Sequence, residues 1–238
     1  MTSNHRALIT GASSGIGRAT ALAFAEAGIH LALVSRSHDK LKAVAQAVAH
    51  TGVEVELYPL DLSIVEQVKP QIEAIAAQFQ PTLLVNNAGM GYTGDLSATS
   101  LADWQQVMAL NLTSVLQCIQ AVVPGMRARR QGIIINIASI AAHNAFPGWG
   151  AYSVSKAGLV TLSKILAAEE RDNGIRVTLI TPGSTNTSIW DTDTVQANFD
   201  RSKMLTPEAI AQSILHAALL PPQAVIEELI VMPSAGAL

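Results

Sequence analysis

The chain has 238 residues, of which 49% are apolar and 14% are charged, with a formal net charge of −3 and a pI near 6.0. This charge excludes the basic surface that nucleic acid binding needs and a polybasic anchor for membranes. The low charged fraction, against about 25% in ordinary soluble domains, predicts surface hidden between subunits. The length predicts a single α/β domain over residues 1–238.

Cysteine and histidine usage limits the chemistry further. The only cysteine, Cys118, excludes an internal disulfide, and the polar residues 1–6 leave no apolar signal core, which predicts a cytoplasmic protein. The six histidines have no metal-ligand spacing with one another or with the cysteine, so no metal site is predicted. Two long uncharged stretches, 105–126 and 131–155, carry too many polar residues, prolines and glycines for membrane spans and are interpreted as buried helix and strand.

A glycine-rich turn follows the first predicted strand, residues 7–9, and precedes a helix-forming run over residues 18–27. This order suits a dinucleotide site, because glycines let the backbone approach a pyrophosphate and the helix N-terminus offers free N–H groups. A turn that only packs the helix on the strand is the alternative. The residues predicted to contact the phosphates are Gly11, Ser13, Ser14, Gly15, Ile16 and Gly17.

The end of the second predicted strand, residues 29–34, indicates which cofactor is used. A carboxylate at this point would hold the ribose 2′-hydroxyl of NAD, whereas this chain has Ser35, Arg36 and Ser37. A cation flanked by two hydroxyls suits a 2′-phosphate, so NADP(H) is predicted. The alternative is that Arg36 is an ordinary surface cation.

The next elements are predicted from alternation and capping signals. Residues 53–60 alternate and contain a proline, which indicates an edge strand. Ser63 and Glu66 have capping-box spacing for the following helix, in which Pro70 predicts a kink. A fourth strand is predicted over residues 82–85.

The second half of the chain contains a polar residue in an apolar helix. Ser100 is predicted to cap a long helix over residues 101–130, in which Asn111 must find hydrogen-bond partners when buried. Its role is either structural or catalytic. Residues 184–205 are polar and aperiodic and are predicted to form a lid over the site. The remaining predicted elements are a strand over 175–180, a helix that starts with Thr206 as N-cap and Pro207 at N1, and a last strand over 229–232.

The chemistry is predicted between Ser139 and Lys156. Ser139 follows the β-branched run 133–137, which places its hydroxyl at a strand end. Tyr152 and Lys156 are four residues apart in a helical pattern and therefore share one face. An ammonium near a phenol is expected to lower its pKa by roughly 1 to 3 units, towards that of a general acid or base. The pair alone is weak evidence, so agreement with the glycine-rich turn matters.

Taken together, these motifs resemble the short-chain dehydrogenase/reductase family over essentially the whole chain. The quoted matches are Thr10-Gly11-x-x-x-Gly15-Ile16-Gly17, Asp61, Asn86-Asn87-Ala88-Gly89, Asn111, Ser139 with Tyr152 thirteen residues on, Lys156, and Pro182-Gly183 with Thr187. The resemblance implies a Rossmann-type, doubly wound parallel sheet of seven strands with helices on both faces. Further cofactor contacts that it implies are Asp61, Leu62, Asn87, Ala88, Gly89, Tyr152, Lys156, Pro182, Gly183, Thr185 and Thr187.

The resemblance also implies roles for the catalytic residues. Tyr152 would protonate the carbonyl oxygen as hydride arrives from the nicotinamide, and Ser139 would hydrogen-bond that oxygen. Lys156 would lower the pKa of Tyr152 and bind the nicotinamide ribose, and Asn111 would hold a water that links Lys156 to solvent.

Other implied roles concern the cofactor. Asp61 would meet the adenine. Asn87 would meet the adenine-side ribose or its neighbouring loop, and Thr187 would meet the carboxamide or a phosphate.

The leading functional expectation is an NADPH-dependent reductase of ketones or aldehydes that can also oxidise alcohols. Residues expected near this small-molecule substrate are Met90, Tyr92, His143, Phe146, Trp149 and Trp190. The alternatives are a 3-oxoacyl-acyl-carrier-protein reductase and a non-catalytic NADP(H)-binding sensor.

The chain end weakens the thioester alternative, because residues 232–238 lack the glycine-rich segment that such reductases often carry after the last strand. Three arginines, Arg127, Arg129 and Arg130, are candidates for docking an acidic carrier protein, although cations also suit a helix C-terminus. The helices predicted over 101–130 and 151–173 indicate an oligomer, and the resemblance suggests a homotetramer.

Overall fold

The computed structural model describes residues 5–197 and 199–236. Seven strands form one sheet in the order β3-β2-β1-β4-β5-β6-β7, and every neighbouring pair is parallel. The strands are β1 Arg6–Thr10, β2 His30–Ser35, β3 Val55–Pro59, β4 Leu83–Asn86, β5 Gly132–Ile137, β6 Ile175–Pro182 and β7 Glu228–Val231. This confirms the predicted doubly wound parallel sheet, with β3 at one edge.

Seven α-helices connect the strands. They are α1 Gly15–Glu26, α2 His38–Val48, α3 Val65–Phe79, α4 Leu101–Met108, α5 Ser114–Arg129, α6 Gly150–Glu170 and α7 Pro207–Ala218. A parallel sheet needs such crossovers, and they cover both of its faces. Accordingly, β1 alternates between two cores, because Ala7 and Ile9 pack with Phe24 of α1 while Leu8 packs with Ile72 of α3.

The order in which strands are added to the sheet reverses between β1 and β4. The strands β2 and β3 lie on one side of this pair, and β5 to β7 lie on the other. Ligands of open α/β sheets bind at such a switch point, beyond the carboxyl ends of the strands. The glycine-rich turn after β1 and the Asn86-Asn87 sequence at the end of β4 meet there.

The long helix predicted over residues 101–130 is interrupted. One π-helical turn, Ala109–Thr113, separates α4 from α5. The Ser114 hydroxyl donates to the Leu110 carbonyl (2.6 Å), which satisfies a backbone acceptor in this wider turn. The run Leu101–Arg129 is also long and apolar enough to span a membrane (29 residues, mean hydropathy 1.5), but half of its most apolar window is buried inside the protein.

Of the three helix N-caps predicted from the sequence, two are correct. Ser100 and Thr206 accept from the Asp103 and Ala209 backbone N–H groups, as expected of N-caps. The capping box predicted at Ser63 is wrong. The Ser63 hydroxyl donates to Asp61 Oδ1 (2.7 Å), and α3 begins two residues later without a side-chain cap.

Several predictions made from the sequence fall partly outside the described residues. These are the N-terminal stretch, of which residues 1–4 are not described, one lid position, Asn198, and the chain end at residues 237–238.

Candidate active site

A cavity of about 630 Å³ lies along the carboxyl ends of the strands. Its wall contains the predicted catalytic residues Ser139, Tyr152 and Lys156. It also contains every predicted cofactor residue except one: Gly11, Ser13, Ser14, Gly15, Ile16, Ser35, Arg36, Ser37, Asp61, Leu62, Asn87, Ala88, Gly89, Pro182, Gly183, Thr185 and Thr187. Among the predicted catalytic and cofactor residues, Gly17 and Asn111 are the two away from this wall, and both lie directly behind it.

The glycine-rich turn needs its glycines for two separate reasons. Gly11 and Gly15 have φ angles of +65° and +50°, which L side chains rarely adopt. A Cβ on Gly17 would lie 2.3 Å from the Gly11 carbonyl oxygen, so Gly17 serves the close packing of α1 on the turn. Its position behind the wall therefore reflects a packing role within the turn.

Asn87 clamps this turn to the end of β4. Its side-chain amide donates to the carbonyls of Thr10 (3.0 Å) and Gly11 (3.2 Å). The Thr10 hydroxyl in turn accepts from the backbone N–H groups of Asn87 (3.0 Å) and Ala88 (3.1 Å). The turn is thus held in shape before any ligand binds.

Groups suited to a phosphate gather where β2 ends. Arg36 and Lys40 are exposed at this end of the cavity, and Ser37 caps α2 between them. The Ser35 hydroxyl is buried and makes no hydrogen bond within the described residues. Sequence reasoning missed Lys40, although its position in the first turn of a helix after Arg36 was a usable signal.

A nicotinamide dinucleotide fits the residues present. The buried hydroxyls of Ser35 and Ser184 line the cavity and lack partners among the described residues, so each is free to bind a ligand. A Cβ on Gly15 would lie 3.0 Å from Thr187 Cγ2, so only a glycine leaves room where these two loops converge.

The predicted catalytic residues converge at the other end of the cavity. Ser139 follows β5, and its hydroxyl oxygen accepts from the Ala141 N–H (3.2 Å). Tyr152 and Lys156 extend from one face of α6, with Lys156 Nζ 5.9 Å from the centre of the Tyr152 ring. The Lys156 ammonium donates to the Ile137 carbonyl (2.9 Å) at the end of β5.

The expected lowering of the Tyr152 pKa is not found. Burial raises the pKa of the phenol, and the hydrogen bond with Ser139 opposes this only in part. Burial also lowers the pKa of Lys156 to about 8. Both shifts have the same cause, because a low-dielectric site disfavours every charged form. At neutral pH the phenol is therefore protonated, the form that a proton donor needs.

The π-helical turn brings Asn111 behind this site. Asn111 is fully buried, and its amide exchanges hydrogen bonds with the backbone of Met90 (2.8 and 2.9 Å) and donates to Ser155 Oγ (3.1 Å). A Cβ on Gly89 would lie 3.2 Å from Asn111 Oδ1 and 3.5 Å from Lys156 Nζ, so these two groups flank the same glycine. Asn111 thus fixes the loop after β4 against α6.

Four of the six residues expected near the substrate line the cavity, namely Met90, Phe146, Trp149 and Trp190. The other two face elsewhere. The Tyr92 hydroxyl donates to Asp103 (3.2 Å), and the His143 ring pairs with Glu228 of β7 (2.6 Å). Sequence reasoning missed Gln106, Leu110, Ile189 and Phe199, whose place in the cavity wall depends on tertiary packing.

Comparison with known proteins agrees with this geometry. Residues 5–198 match the sequence model of the short chain dehydrogenase family. This match spans most of the chain, so the protein belongs to the short-chain dehydrogenase/reductase family. It is therefore an oxidoreductase that acts on CH–OH and C=O groups.

The relatives differ in how much of their own length matches this chain. A glycine betaine reductase of Emericella nidulans is 33% identical over 95% of this chain, but the match spans only 18% of that relative. A 3-oxoacyl-acyl-carrier-protein reductase of Staphylococcus epidermidis is 38% identical over 76% of this chain and 75% of its own length.

Solved structures are similar over nearly the full chain. An alcohol dehydrogenase of the archaeon Thermococcus sibiricus, complexed with 5-hydroxy-NADP, has a TM-score of 0.87 at 29% identity and covers 97% of both chains. A metagenomic short-chain oxidoreductase in complex with NADP has a TM-score of 0.85 at 32% identity and covers 98% of both chains.

Proposed function

We propose that the protein is an NADPH-dependent reductase of ketones or aldehydes that also runs in the direction of alcohol oxidation. The observation that carries this proposal is the division of one cavity, which has Ser139, Tyr152 and Lys156 at one end and the cations Arg36 and Lys40 at the other.

Each catalytic side chain has a distinct task in this proposal. When bound, the nicotinamide supplies the hydride for the carbonyl carbon. Tyr152 donates its phenol proton to the carbonyl oxygen, which completes the alcohol. Ser139 donates a hydrogen bond to the same oxygen, because a carbonyl oxygen can only accept and the Ser139 hydroxyl keeps its hydrogen while its oxygen accepts from the Ala141 N–H. Lys156 supplies positive charge beside the phenol and donors for the ribose hydroxyls, while Asn111 positions the loop that borders Lys156.

The preference for NADPH is proposed from the end of β2. Arg36, Lys40 and the Ser35 hydroxyl provide charge and hydrogen-bond donors for a 2′-phosphate. The NADP complexes named among the structural neighbours support the same choice. Across the rest of the cofactor, we propose that the glycine-rich turn and the loops after β3, β4 and β6 supply the contacts.

The test is a direct titration with NADPH and NADH, followed by oxidation assays with ketones, 3-oxo acids and 3-oxoacyl thioesters. Tighter binding of NADPH and turnover of simple ketones are expected. A preference for NADH would contradict the argument from Arg36. Tight cofactor binding without turnover of any carbonyl compound would favour the sensor alternative.

The thioester alternative has weaker support. Arg127 is paired with Glu170, while Arg129 and Arg130 donate to the carbonyls of Pro81 (2.8 Å) and Asp172 (2.7 Å). Glu170 neutralises the charge of Arg127, which, within the described residues, leaves only Arg129 and Arg130 of the three as exposed, unpaired charges for carrier docking. A kcat/KM for a carrier-bound 3-oxoacyl thioester above that for every simple ketone would reverse this ranking.

We further propose a single catalytic domain over residues 1–238 with a lid over 184–205, working as a cytoplasmic homotetramer. The exposed apolar side chains of Leu116 on α5 and of Val154 and Ile165 on α6 support association through these helices. Light scattering measures the subunit number, and a monomer at micromolar concentration would contradict the tetramer.

A further inference from the structure

Four aromatic rings form a continuous wall beside the predicted proton donor. Tyr152 contacts Trp149 edge to face with 5.5 Å between ring centres, Trp149 contacts Trp190 at 5.8 Å, and Trp190 contacts Phe199 at 5.4 Å. The interplanar angles are 67°, 70° and 86°. All four rings line the cavity, and we call them the aromatic wall. Aromatic rings arranged in this way offer faces and edges to a further ring.

The centre of the aromatic wall is held in a defined orientation. The Trp190 indole N–H donates to the Thr185 carbonyl (2.7 Å), so its only polar atom is satisfied within the chain. Trp190 therefore offers the cavity an apolar surface and no unsatisfied donor.

The segment that carries Trp190 and Phe199 is anchored across the cavity to the loop after β4. The Thr93 N–H donates to the Thr194 carbonyl (2.8 Å), and the Thr194 hydroxyl donates to the Gly91 carbonyl (2.8 Å). Val195 is buried where a Cβ on Gly91 would be only 2.6 Å from its side chain. These contacts hold the segment of Trp190 and Phe199 against the loop after β4, which keeps both rings in the aromatic wall.

Charge is distributed very unevenly around the cavity. Among its described lining residues, the only ionisable acids and bases besides Tyr152 are Arg36, Lys40 and Asp61 at the cofactor end, and Lys156, which is buried against Ile137. Around the aromatic wall the lining is apolar or neutral, and it includes Met90, Gln106, Leu110, Ile140, Ile189 and Thr192. The cation that borders this wall is Lys156, 5.9 Å from the centre of the Tyr152 ring, and its ammonium already donates to the Ile137 carbonyl. A substrate carboxylate beside Trp190 would therefore lose its hydration without gaining a cationic partner.

We propose that the aromatic wall is the binding site for an aryl group, so that the substrates of choice are uncharged aryl ketones. This rests on the reductase activity proposed above and adds the substrate class. The reaction is otherwise unchanged, because the carbonyl carbon gains the hydride and its oxygen gains the Tyr152 proton.

The first test compares two methyl ketones of similar size, acetophenone and cyclohexyl methyl ketone. We expect the wild-type kcat/KM to favour acetophenone by about fivefold or more, and Trp190→Leu to reduce this preference by about 3- to 10-fold, the effect of one or two aromatic contacts. Phe199→Leu is a second variant that removes the ring at the end of the wall beyond Trp190. Trp104→Leu, which changes a tryptophan outside the cavity wall, is the control and should keep the preference.

The second test concerns charge. Benzoylacetate and its ethyl ester carry the same aryl ketone but differ by a carboxylate. The ester is expected to have a kcat/KM at least about tenfold higher, because the one cation that borders the aromatic wall among the described residues, Lys156, already donates to the Ile137 carbonyl and leaves the carboxylate without a partner beside Trp190. Equal or better turnover of the free acid would overturn the proposal.

Binding to the protein loaded with NADP⁺ separates the failure of this inference from failure of the proposed activity. Both methyl ketones bind there without reacting, so calorimetry measures the aryl preference directly. Tighter binding of acetophenone that Trp190→Leu abolishes supports the aryl site even if no turnover is seen. Equal binding of the two ketones, or of neither, overturns it even if ketone reduction is confirmed.

Discussion

The two ends of the cavity are built in different ways. The cofactor end depends on backbone geometry and consecutive residues, such as the positive φ angles of Gly11 and Gly15 and the sequence Ser35-Arg36-Ser37. The substrate end is assembled from side chains that are distant in sequence, with Trp149 and Trp190 meeting 5.8 Å apart. The first end is polar and charged, and the second is aromatic and neutral. Substitutions should therefore affect cofactor choice at one end and turnover at the other.

The largest effect is expected from Tyr152→Phe. Removing the phenol hydroxyl removes the proton donor, and general acid catalysis contributes about 10²- to 10⁴-fold, so kcat for ketone reduction should fall by that factor. NADPH affinity should remain within about twofold of wild type, since the rest of the cofactor wall is unchanged. Steady-state kinetics and a fluorescence titration measure the two quantities.

Tyr92→Phe is the matched control, because the Tyr92 hydroxyl donates to Asp103 and does not line the cavity. It should keep near wild-type turnover. A fully active Tyr152→Phe variant would remove Tyr152 from the mechanism.

A smaller effect is expected at the opposite end from Arg36→Ala. Losing one charge-assisted contact of about 1.5–3 kcal/mol should raise the Kd for NADPH by about 10- to 100-fold and leave that for NADH unchanged. Lys42→Ala changes an exposed cation of α2, the helix that follows Arg36, and because Lys42 does not line the cavity this variant should leave both constants unchanged. Equal weakening of NADPH and NADH would show that Arg36 does not recognise the 2′-phosphate.

Lys156, at the same end of the cavity as Tyr152, should affect stability in a pH-dependent way. Burial lowers its pKa from 10.5 to about 8, so between these values the unfolded chain binds more protons than the folded one. Wild-type stability should therefore rise with pH, relative to Lys156→Met, by on the order of 3 kcal/mol from pH 8 to 10.5. Below pH 8 the difference should be constant. Urea unfolding of both proteins across this range measures it, and parallel curves would contradict the buried ammonium.

The smallest effect on function is expected far from the cavity, at Glu170. The Arg127 side chain holds the pKa of this buried carboxyl below its ordinary value of 4.5, with help from Asn173. Its stabilising contribution is present above about pH 4.5 and is lost as the pH falls through the folded-state pKa.

Glu170→Gln should lower the Tm at pH 7 by a few degrees, and the difference from wild type should narrow at acidic pH. Kinetic constants and the cofactor preference should not change. An altered kcat/KM would indicate that α6 transmits strain from Glu170 to Tyr152.

Local signals predicted the features that depend on neighbouring residues. The caps at Ser100 and Thr206 are correct because each hydroxyl reaches an N–H three residues ahead. The Ser63 capping box failed because Ser63 is held in a turn by Asp61, which accepts from both its N–H and its hydroxyl, and the helix begins only at Val65. The π-helical turn at Asn111 had no local signal, since its partners Met90 and Ser155 are far away in sequence.

Local patterns in the sequence account for the main strand and helix segments, the glycine-rich turn and the choice of Ser139, Tyr152 and Lys156 as candidate groups, because periodicity, glycine placement and helical spacing are local properties of the chain. The parallel seven-stranded sheet was predicted from the resemblance to a known family. Only the tertiary structure decided the pKa directions of Tyr152 and Lys156, since desolvation depends on everything packed around a group. It also decided which aromatic side chains face the site. Trp190 and Phe199 reach the Tyr152 end of the cavity through loop packing, which no spacing in the sequence encodes.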